Sequence, residues 1–401
     1  MQEKYELRPM QTGTSTIGVV GAGAMGSGIA QLAAQAGHTV FLVDQNESAL
    51  ERSAAALAKV AARLVEKGKW SVADSERIQS AIDRTTALDS LAPCDWVIEA
   101  IVEDLGVKQS LFQSLEAIVT PQAVLATNTS SLSVTALAGK LQHPERFLGL
   151  HFFNPAPLMA LVEIVPALQT DASHVDRAKS MMAAWGKSPV VAKDTPGFIV
   201  NRVARPFYGE ALRIFEEGLA SRETIDAAMR NAGFRMGPFE LMDLIGNDVN
   251  YAVSCSVFEA FYHDPRYRPS LIQKQHVDAG WLGRKSGKGY YTYKEGQVST
   301  TASETSIDHN QFDWIVERIV AMLINEAADA CYLNIASAED LETAMTKGVN
   351  YPKGLLAWCN EWGVNATLNV LESLQIRYGD DRYRPSPVLR DLAAHKSQFT
   401  L

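Results

Sequence analysis

Residues 17–26 read IGVVGAGAMG, and few other stretches in the 401-residue chain restrict its fold so tightly. The apolar run Ile17–Val20 ends in the turn GAGAMGSG and leads into IAQLAAQAG, an Ala-rich helical pattern closed by Gly37. Next comes HTVFLVD, a strand whose first acidic residue, Asp44, stands at its carboxyl end, and then a long helix from about Ser48 to Glu66. This is a β-α-β unit. In Gly21-x-Gly23-x-x-Gly26 the first glycine permits a tight turn, the second lets backbone approach a pyrophosphate, and the third lets helix pack on strand. Ala24 and Met25 open the helix whose N-terminus then faces the phosphates. Taken alone the spacing is equally a glycine-rich turn. Its context between strand and helix, with Asp44 placed to accept both ribose hydroxyls, points to a dinucleotide. The cofactor read from these residues is NAD rather than NADP, because a carboxylate at 44 repels a 2′-phosphate and neither Gln45 nor Asn46 supplies a compensating arginine.

Further strand-like runs follow at Trp96–Ala100, Val124–Thr127, Phe147–His151 and Leu161–Val165, with helix-like segments such as Val107–Val119 and Val134–Leu141 between the first three. The alternation predicts an α/β fold with a doubly wound, mostly parallel sheet. From Ile199 onward the periodicity is helical, which puts a boundary near Thr195-Pro196-Gly197.

The helical part repeats itself. Ile199-Val200-Asn201-Arg202 returns as Ile315-Val316-Glu317-Arg318, Glu210-Ala211 as Glu326-Ala327, Ala220-Ser221 as Ala336-Ser337 and Ala228-Met229 as Ala344-Met345, each 116 positions later. Phe234 and Gly237 match Tyr351 and Gly354 at 117, which implies one inserted residue. The domains are therefore read as 1–195 (dinucleotide-binding), 196–293 (helical), a polar Ser/Thr-rich linker 294–310, and a second helical copy 311–401.

With 46 Asp and Glu against 37 Lys and Arg, the net charge of −9 argues against a nucleic acid or an anionic membrane as the main partner. Four scattered cysteines without Cys-x-x-Cys spacing suggest neither a metal site nor disulfides. The leader MQEKYELRPMQTGTST has no apolar core, and no stretch approaches the roughly 20 apolar residues that cross a bilayer. The expected compartment is the cytoplasm.

Thr127-Asn128-Thr129-Ser130-Ser131 falls at a strand end, where open α/β sheets bind ligands. Its hydroxyls and amide suit a substrate or cofactor, or equally a turn that caps the helix near Val134. His151 lies at the next strand end, and Glu163 sits inside the apolar run LVEIV, where a carboxylate needs a donor. If the two strands meet, the pair is a structural ion pair or a base with its orienting acid. Beside a nicotinamide site it reads as a general base that takes a hydroxyl proton while the same carbon gives up hydride.

The stretches GAGAMGSGIAQ, VIEAIVEDLGVK, TNTSSLSVT, RFLGLHFFNPAPLMALVEIV, DTPGFIVNRV, MGPFELMDLIG and GWLGRKSGKGYY resemble the NAD-dependent 3-hydroxyacyl-CoA dehydrogenase family over about residues 17–293. The tail, with GVNYPKGLLAW and YGDDRYRPSPVLRDL, resembles the second helical domain of longer members, in particular the 3-hydroxyadipyl-CoA dehydrogenases of phenylacetate degradation. The resemblance implies a Rossmann-like domain followed by two tandem domains like the C-terminal domain of 6-phosphogluconate dehydrogenase. It implies reversible oxidation of (S)-3-hydroxyacyl-CoA in fatty-acid or aromatic-acid catabolism.

It also implies His151 as base, Glu163 as its orienting partner, and Ser130 and Asn201 as donors near the substrate 3-oxygen. Glu103, Lys108, Asn128, Asn154 and Lys285 fall where the family lines the cofactor, with a solvated lysine an equal reading of Lys285, and Lys67 falls where members contact the CoA phosphates, although an exposed helix-end lysine is the better account of Lys67 from sequence. Two departures stand out: Ala160 replaces a usual lysine, and the inter-copy linker is short. Asn201 becomes Glu317 in the second copy, which is read as structural, a stand-in for the partner subunit of shorter, dimeric members, in a chain that is also a candidate homo-oligomer. Competing readings are a dehydrogenase of a free hydroxy or sugar acid, and an NAD-binding structural or regulatory protein. The complete set His151, Glu163, Ser130 and Asn201 argues against the second.

Overall fold

The computed structural model describes residues 14–295, 297–298 and 308–401, so most of the leader and most of the polar linker lie outside the described residues. The chain forms two compact units, one ending at Asp194 and the next beginning at Thr195.

The first unit runs β1 (Thr16–Val20), α1 (Ala24–Gln35), β2 (Thr39–Val43), α2 (Glu47–Glu66), α3 (Val72–Ser80), β3 (Ile82–Thr85), β4 (Trp96–Glu99), α4 (Leu105–Ile118), β5 (Val124–Thr127), α5 (Val134–Ala138), β6 (Phe147–Phe152), β7 (Leu161–Pro166), α6 (Ala172–Ala184) and β8 (Ser188–Val191). The eight strands form one sheet in the order β3-β2-β1-β4-β5-β6-β7-β8. Every pairing is parallel except β6 with β7. Strands such as GVV and VLAT are apolar on both faces because helices cover both, and Ile17, Val19, Leu42, Ile98 and Ala126 are fully or almost fully buried. The order reverses between β1 and β4, which opens a crevice at the carboxyl ends of the strands.

Four elements escape the periodicity reading: α3, opened by a Ser71–Asp74 capping box, α6, and the short strands β3 and β8. The helix expected over 134–141 stops at Ala138, where the Gly139 N–H bonds back to Thr135.

The second unit contains α7 (Val200–Val203), α8 (Arg205–Glu216), α9 (Arg222–Asn231), α10 (Pro238–Ile245), α11 (Asn247–Ala260), α12 (Leu271–Asp278), the hairpin β9 (Tyr293–Lys294) with β10 (Gln297–Val298), then α13 (Phe312–Tyr332), α14 (Ala338–Thr343), α15 (Leu355–Trp362), α16 (Val364–Tyr378) and α17 (Pro387–His395). The segment read as a linker from 294 thus begins with a paired hairpin. Helix α13 is buried at every position from Arg318 to Ala330, as befits a helix surrounded by α8, α9, α15, α16 and α17.

The repeat takes physical form here. Pro206 at the start of α8 separates it from α7, whereas 116 positions on Met322 lets α13 run unbroken. The inserted residue implied by the step from 116 to 117 coincides with a π turn over Ala344–Gly348, the way a helix absorbs one extra residue. Asp226 accepts the N–H groups of Phe239 and Glu240 that open α10, and at the corresponding place Glu342 accepts those of Leu356 and Ala357 that open α15. The copies also exchange ion pairs: Arg202 Nε donates to Glu326 (2.6 Å) and Arg318 Nε to Glu210 (2.9 Å). Tyr267 donates to Glu326 (2.5 Å) and Tyr383 to Glu210 (3.0 Å). Each partner is its counterpart's equivalent at a shift of 116, so the contacts obey an approximate two-fold.

Candidate active site

The glycine turn is shaped from both sides. Gly21 has φ +105°, and a Cβ there would lie 2.6 Å from the Ala100 carbonyl oxygen. At Gly26 a Cβ would fall 1.8 Å from the Gly21 oxygen, so only glycine lets α1 sit this close to β1. At Gly23 it would meet nothing within 4 Å, and Gly23 and Ala24 are exposed, with Met25 half-buried behind them. The open side of the turn is where a pyrophosphate fits. The Asp44 carboxylate closes it from β2, accepting from Ala22 N (2.8 Å) and Asn46 N (2.9 Å).

Across the sheet a chain of acids and hydroxyls organises the loop after β5. Glu99, fully buried at the end of β4, accepts from Lys108 Nζ (2.6 Å), Thr127 Oγ1 (2.7 Å) and Ile101 N (2.7 Å). Lys108, read as cofactor-lining, is itself buried and shared between Glu99 and Glu103 (3.1 Å). Its reach toward a ligand therefore runs through Glu103. One oxygen of Glu103 accepts from Thr129 Oγ1 (2.6 Å), Ser130 N (2.9 Å) and Ser131 N (3.2 Å). Burial raises the Glu103 pKa, but Lys108 and these donors outweigh it and hold the group below the ordinary carboxylate range. The turn reading of this segment also holds: Thr129 Oγ1 accepts from Leu132 N, and Ser133 caps α5. Asp194 accepts from Ser133 Oγ, Val134 N and Thr135 N, fixing the start of that helix. Asn128 Oδ1 accepts from Phe152 N (2.9 Å), tying the end of β5 to the end of β6.

His151 and Glu163 stand directly opposite one another on antiparallel β6 and β7. The imidazole Nδ1 and Glu163 Oε2 are 2.6 Å apart, with Glu163 wholly buried and His151 6% exposed. The carboxylate sets the tautomer: Nδ1–H donates to it, which leaves Nε2 as the basic nitrogen. The Phe153 ring packs 4.5 Å from the imidazole centroid, and Asn154 follows, exposed. Ala160 places no charge immediately before β7. The ammonium that does reach this loop belongs to Lys187, which donates to the carbonyls of Ala156 (2.6 Å) and Met159 (2.7 Å). Burial pulls its pKa down to about 8.

A cavity of about 880 Å³ lies between α1 and α2, beginning at the glycine turn and bounded by Pro155, Pro157 and Leu158. Its α2 wall is apolar through Ala56, Leu57, Val60 and Leu64, and its rim carries Arg52, Arg63, Lys67 and Lys69. In the second unit, Asn201 lies on α7, and Lys285 pairs on the surface with Asp248 (2.6 Å). Among the described residues no group of three or more His, Cys, Asp or Glu side chains could hold a metal ion, and no helix is long and apolar enough to cross a membrane. Sequence reasoning missed Glu99, Asp194 and Lys187. Glu99 carries the same signal as Glu163, an acid in an apolar strand.

A Rossmann sheet with a glycine turn, an acid at the end of β2 and a His–acid pair beyond it is the equipment of a nicotinamide-dependent dehydrogenase. Comparison with known proteins agrees. The NAD-binding domain of 3-hydroxyacyl-CoA dehydrogenase matches residues 16–195, and the C-terminal domain of that family matches twice, at 197–293 and 314–398. The chain is 40% identical to a 3-hydroxyadipyl-CoA dehydrogenase of Escherichia coli K12, over 97% of this chain and all of that one. A 3-hydroxybutyryl-CoA dehydrogenase of Bradyrhizobium diazoefficiens is 43% identical over 69% of this chain and 95% of its own. Among solved structures, a 3-hydroxybutyryl-CoA dehydrogenase from Escherichia coli K12 superposes with a TM-score of 0.89 at 38% identity, covering 96% of this chain and 99% of that one. The chain belongs to the 3-hydroxyacyl-CoA dehydrogenase family, and it is an oxidoreductase with NAD as cofactor.

Proposed function

We propose that the chain oxidises short (S)-3-hydroxyacyl-CoA esters reversibly to 3-oxoacyl-CoA, with His151 as general base and Glu163 as the group that orients it. The observation that carries this reading is the 2.6 Å contact between Nδ1 and a wholly buried carboxylate. Bound NAD supplies the hydride acceptor. His151 Nε2 takes the hydroxyl proton, Glu163 stabilises the imidazolium that forms, and Ser130 and Asn201 donate to the 3-oxygen as it becomes a carbonyl. Glu103, fixed by Lys108, sets the loop that carries Ser130. Asp44 holds the ribose, and Ala24, Met25, Asn128, Asn154 and Lys285 complete the cofactor contacts.

The CoA moiety belongs in the cavity along α2, where an apolar wall suits pantetheine and the rim of Arg52, Arg63, Lys67 and Lys69 suits its phosphates. We infer that the second helical copy serves the first as a built-in partner. The crossed Arg202–Glu326 and Arg318–Glu210 pairs support this, since an isologous dimer makes such reciprocal contacts. The chain is then expected in the cytoplasm without a separate partner for its helical domain.

The test is NADH oxidation with acetoacetyl-CoA against free acetoacetate, repeated with His151→Gln. Turnover of the thioester alone, reduced about 10²- to 10⁴-fold by the substitution, is the expected result. Equal rates on the two substrates, or an unaffected variant, would overturn it.

A further inference from the structure

The helical unit buries several arginines, and all but one of those that are not surface-exposed face a carboxylate. Arg202 meets Glu326 and Asp329, Arg266 meets Asp264 and Asp329, and Arg318 meets Glu210 and Glu217. Arg213 and Arg382 each come within 3.7 Å of Glu210. Arg205 does not follow this pattern. Although only partly exposed, it has no carboxylate within 4.0 Å among the described residues. Its Nη1 donates to Ser254 Oγ (3.2 Å), its guanidinium lies 5.0 Å over the Tyr208 ring, and its Nε is buried without a partner. Tyr351, close enough to interact electrostatically with Arg205, has a buried hydroxyl that is also without a partner. Burial depresses the pKa of Arg205, the mark of a cation whose counter-charge is not supplied by its own chain.

Two orphaned donors around one guanidinium describe a half-made anion site. Arg205 stands four residues beyond Asn201, and Ala204 between α7 and α8 keeps a right-handed helical conformation, so the two are rooted about one turn, roughly 6 Å, apart. In a six-carbon 3-hydroxyacyl chain the terminal carbon is three bonds from carbon 3, about 4 Å when extended. A substrate whose 3-oxygen is held at Asn201 therefore brings its far end within reach of an arginine side chain rooted one turn away.

We propose that Arg205, helped by the Tyr351 hydroxyl, recognises a carboxylate at the distal end of the acyl chain, so that the preferred substrates are 3-hydroxy thioesters of dicarboxylic acids. This rests on the dehydrogenase reading above, in which Asn201 meets the 3-oxygen. A guanidinium fork binds a carboxylate with two parallel hydrogen bonds, and a partly desolvated one discriminates strongly against a methyl group.

The experiment compares kcat/KM for 3-hydroxyadipyl-CoA and 3-hydroxyhexanoyl-CoA, which share six carbons and differ only in the terminal group. The wild type should favour the carboxylate. Arg205→Met should lower the adipyl-to-hexanoyl ratio about 10- to 100-fold, chiefly through KM. Arg205→Lys, which keeps charge and stem but not the fork, should fall between, and Tyr351→Phe should lower the ratio several-fold. A ratio that does not move in any of the three variants overturns the assignment and makes Arg205 a packing residue. A wild type that turns over neither thioester overturns the underlying dehydrogenase reading instead.

Discussion

Glu163→Gln separates a catalytic His–acid pair from a structural one. Glutamine keeps the shape and an oxygen that can still accept the Nδ1–H hydrogen bond, so the imidazole stays in place while the charge goes. Nδ1 and Oε2 are 2.6 Å apart, which puts the charge centres about 4 Å apart, and with an effective dielectric near 20 the attraction between imidazolium and carboxylate is about 4 kcal/mol. The remaining neutral hydrogen bond returns about 1 kcal/mol. The net loss of about 3 kcal/mol falls on the protonated state alone, and so on the transition state, which corresponds to a fall in kcat on the order of 100-fold. Before reaction a waiting base is uncharged, and the variant then removes a wholly buried charge from the resting enzyme. Its thermal midpoint should accordingly hold or rise, with the Kd for NAD unchanged. Steady-state kinetics, differential scanning fluorimetry and NADH fluorescence titration read the three quantities. A variant within threefold of wild-type turnover, or one that loses activity and melting temperature together, would refute the reasoning.

The glycine turn predicts a contrast between neighbours: Gly26→Ala, with its Cβ 1.8 Å from a backbone oxygen, should fail to fold stably, whereas Gly23→Ala, facing open space, should melt like the wild type and bind NAD at least tenfold more weakly by titration. Equal behaviour of the two would contradict the assignment of the open face to a pyrophosphate. Lys187 predicts a pH effect. Its pKa is about 8 in the folded chain against 10.5 when exposed, so between those values the unfolded state holds more protons and stability rises with pH, by on the order of 3 kcal/mol across the window. Lys187→Met should abolish that rise between pH 8 and 10.5 in denaturant titrations, and identical slopes for the two proteins would count against it.

What was legible in the sequence was what depends on near neighbours. The β1-α1-β2 unit shows itself because strand, turn and helix each carry a local signature in IGVVGAGAMGSGIAQLAAQ. The His151–Glu163 contact could be anticipated only as a condition, since it requires β7 to return antiparallel beside β6, a pairing that no local pattern encodes. Strand β3, written IDRT, and β8, written SPVV, are too short and too polar or Pro-broken to declare themselves, and they exist because neighbouring strands pair with them. Lys108 enters as a cofactor contact only through the family resemblance, and its burial follows from Glu99, an acid inside an apolar strand whose need for a cation no local pattern assigns to a particular lysine. The one-residue slip in the repeat was countable, but its form as a π turn was not, because any loop between 345 and 351 could have absorbed it.

The exchange of partners between Arg202 and Arg318 binds the history of the two copies together. Each arginine answers to an acid in the other copy, so neither half of the duplication is at liberty to drift by itself. Each arginine moreover keeps a second acid in the opposite copy, Asp329 for Arg202 and Glu217 for Arg318, so the halves are fastened by doubled ties rather than single ones.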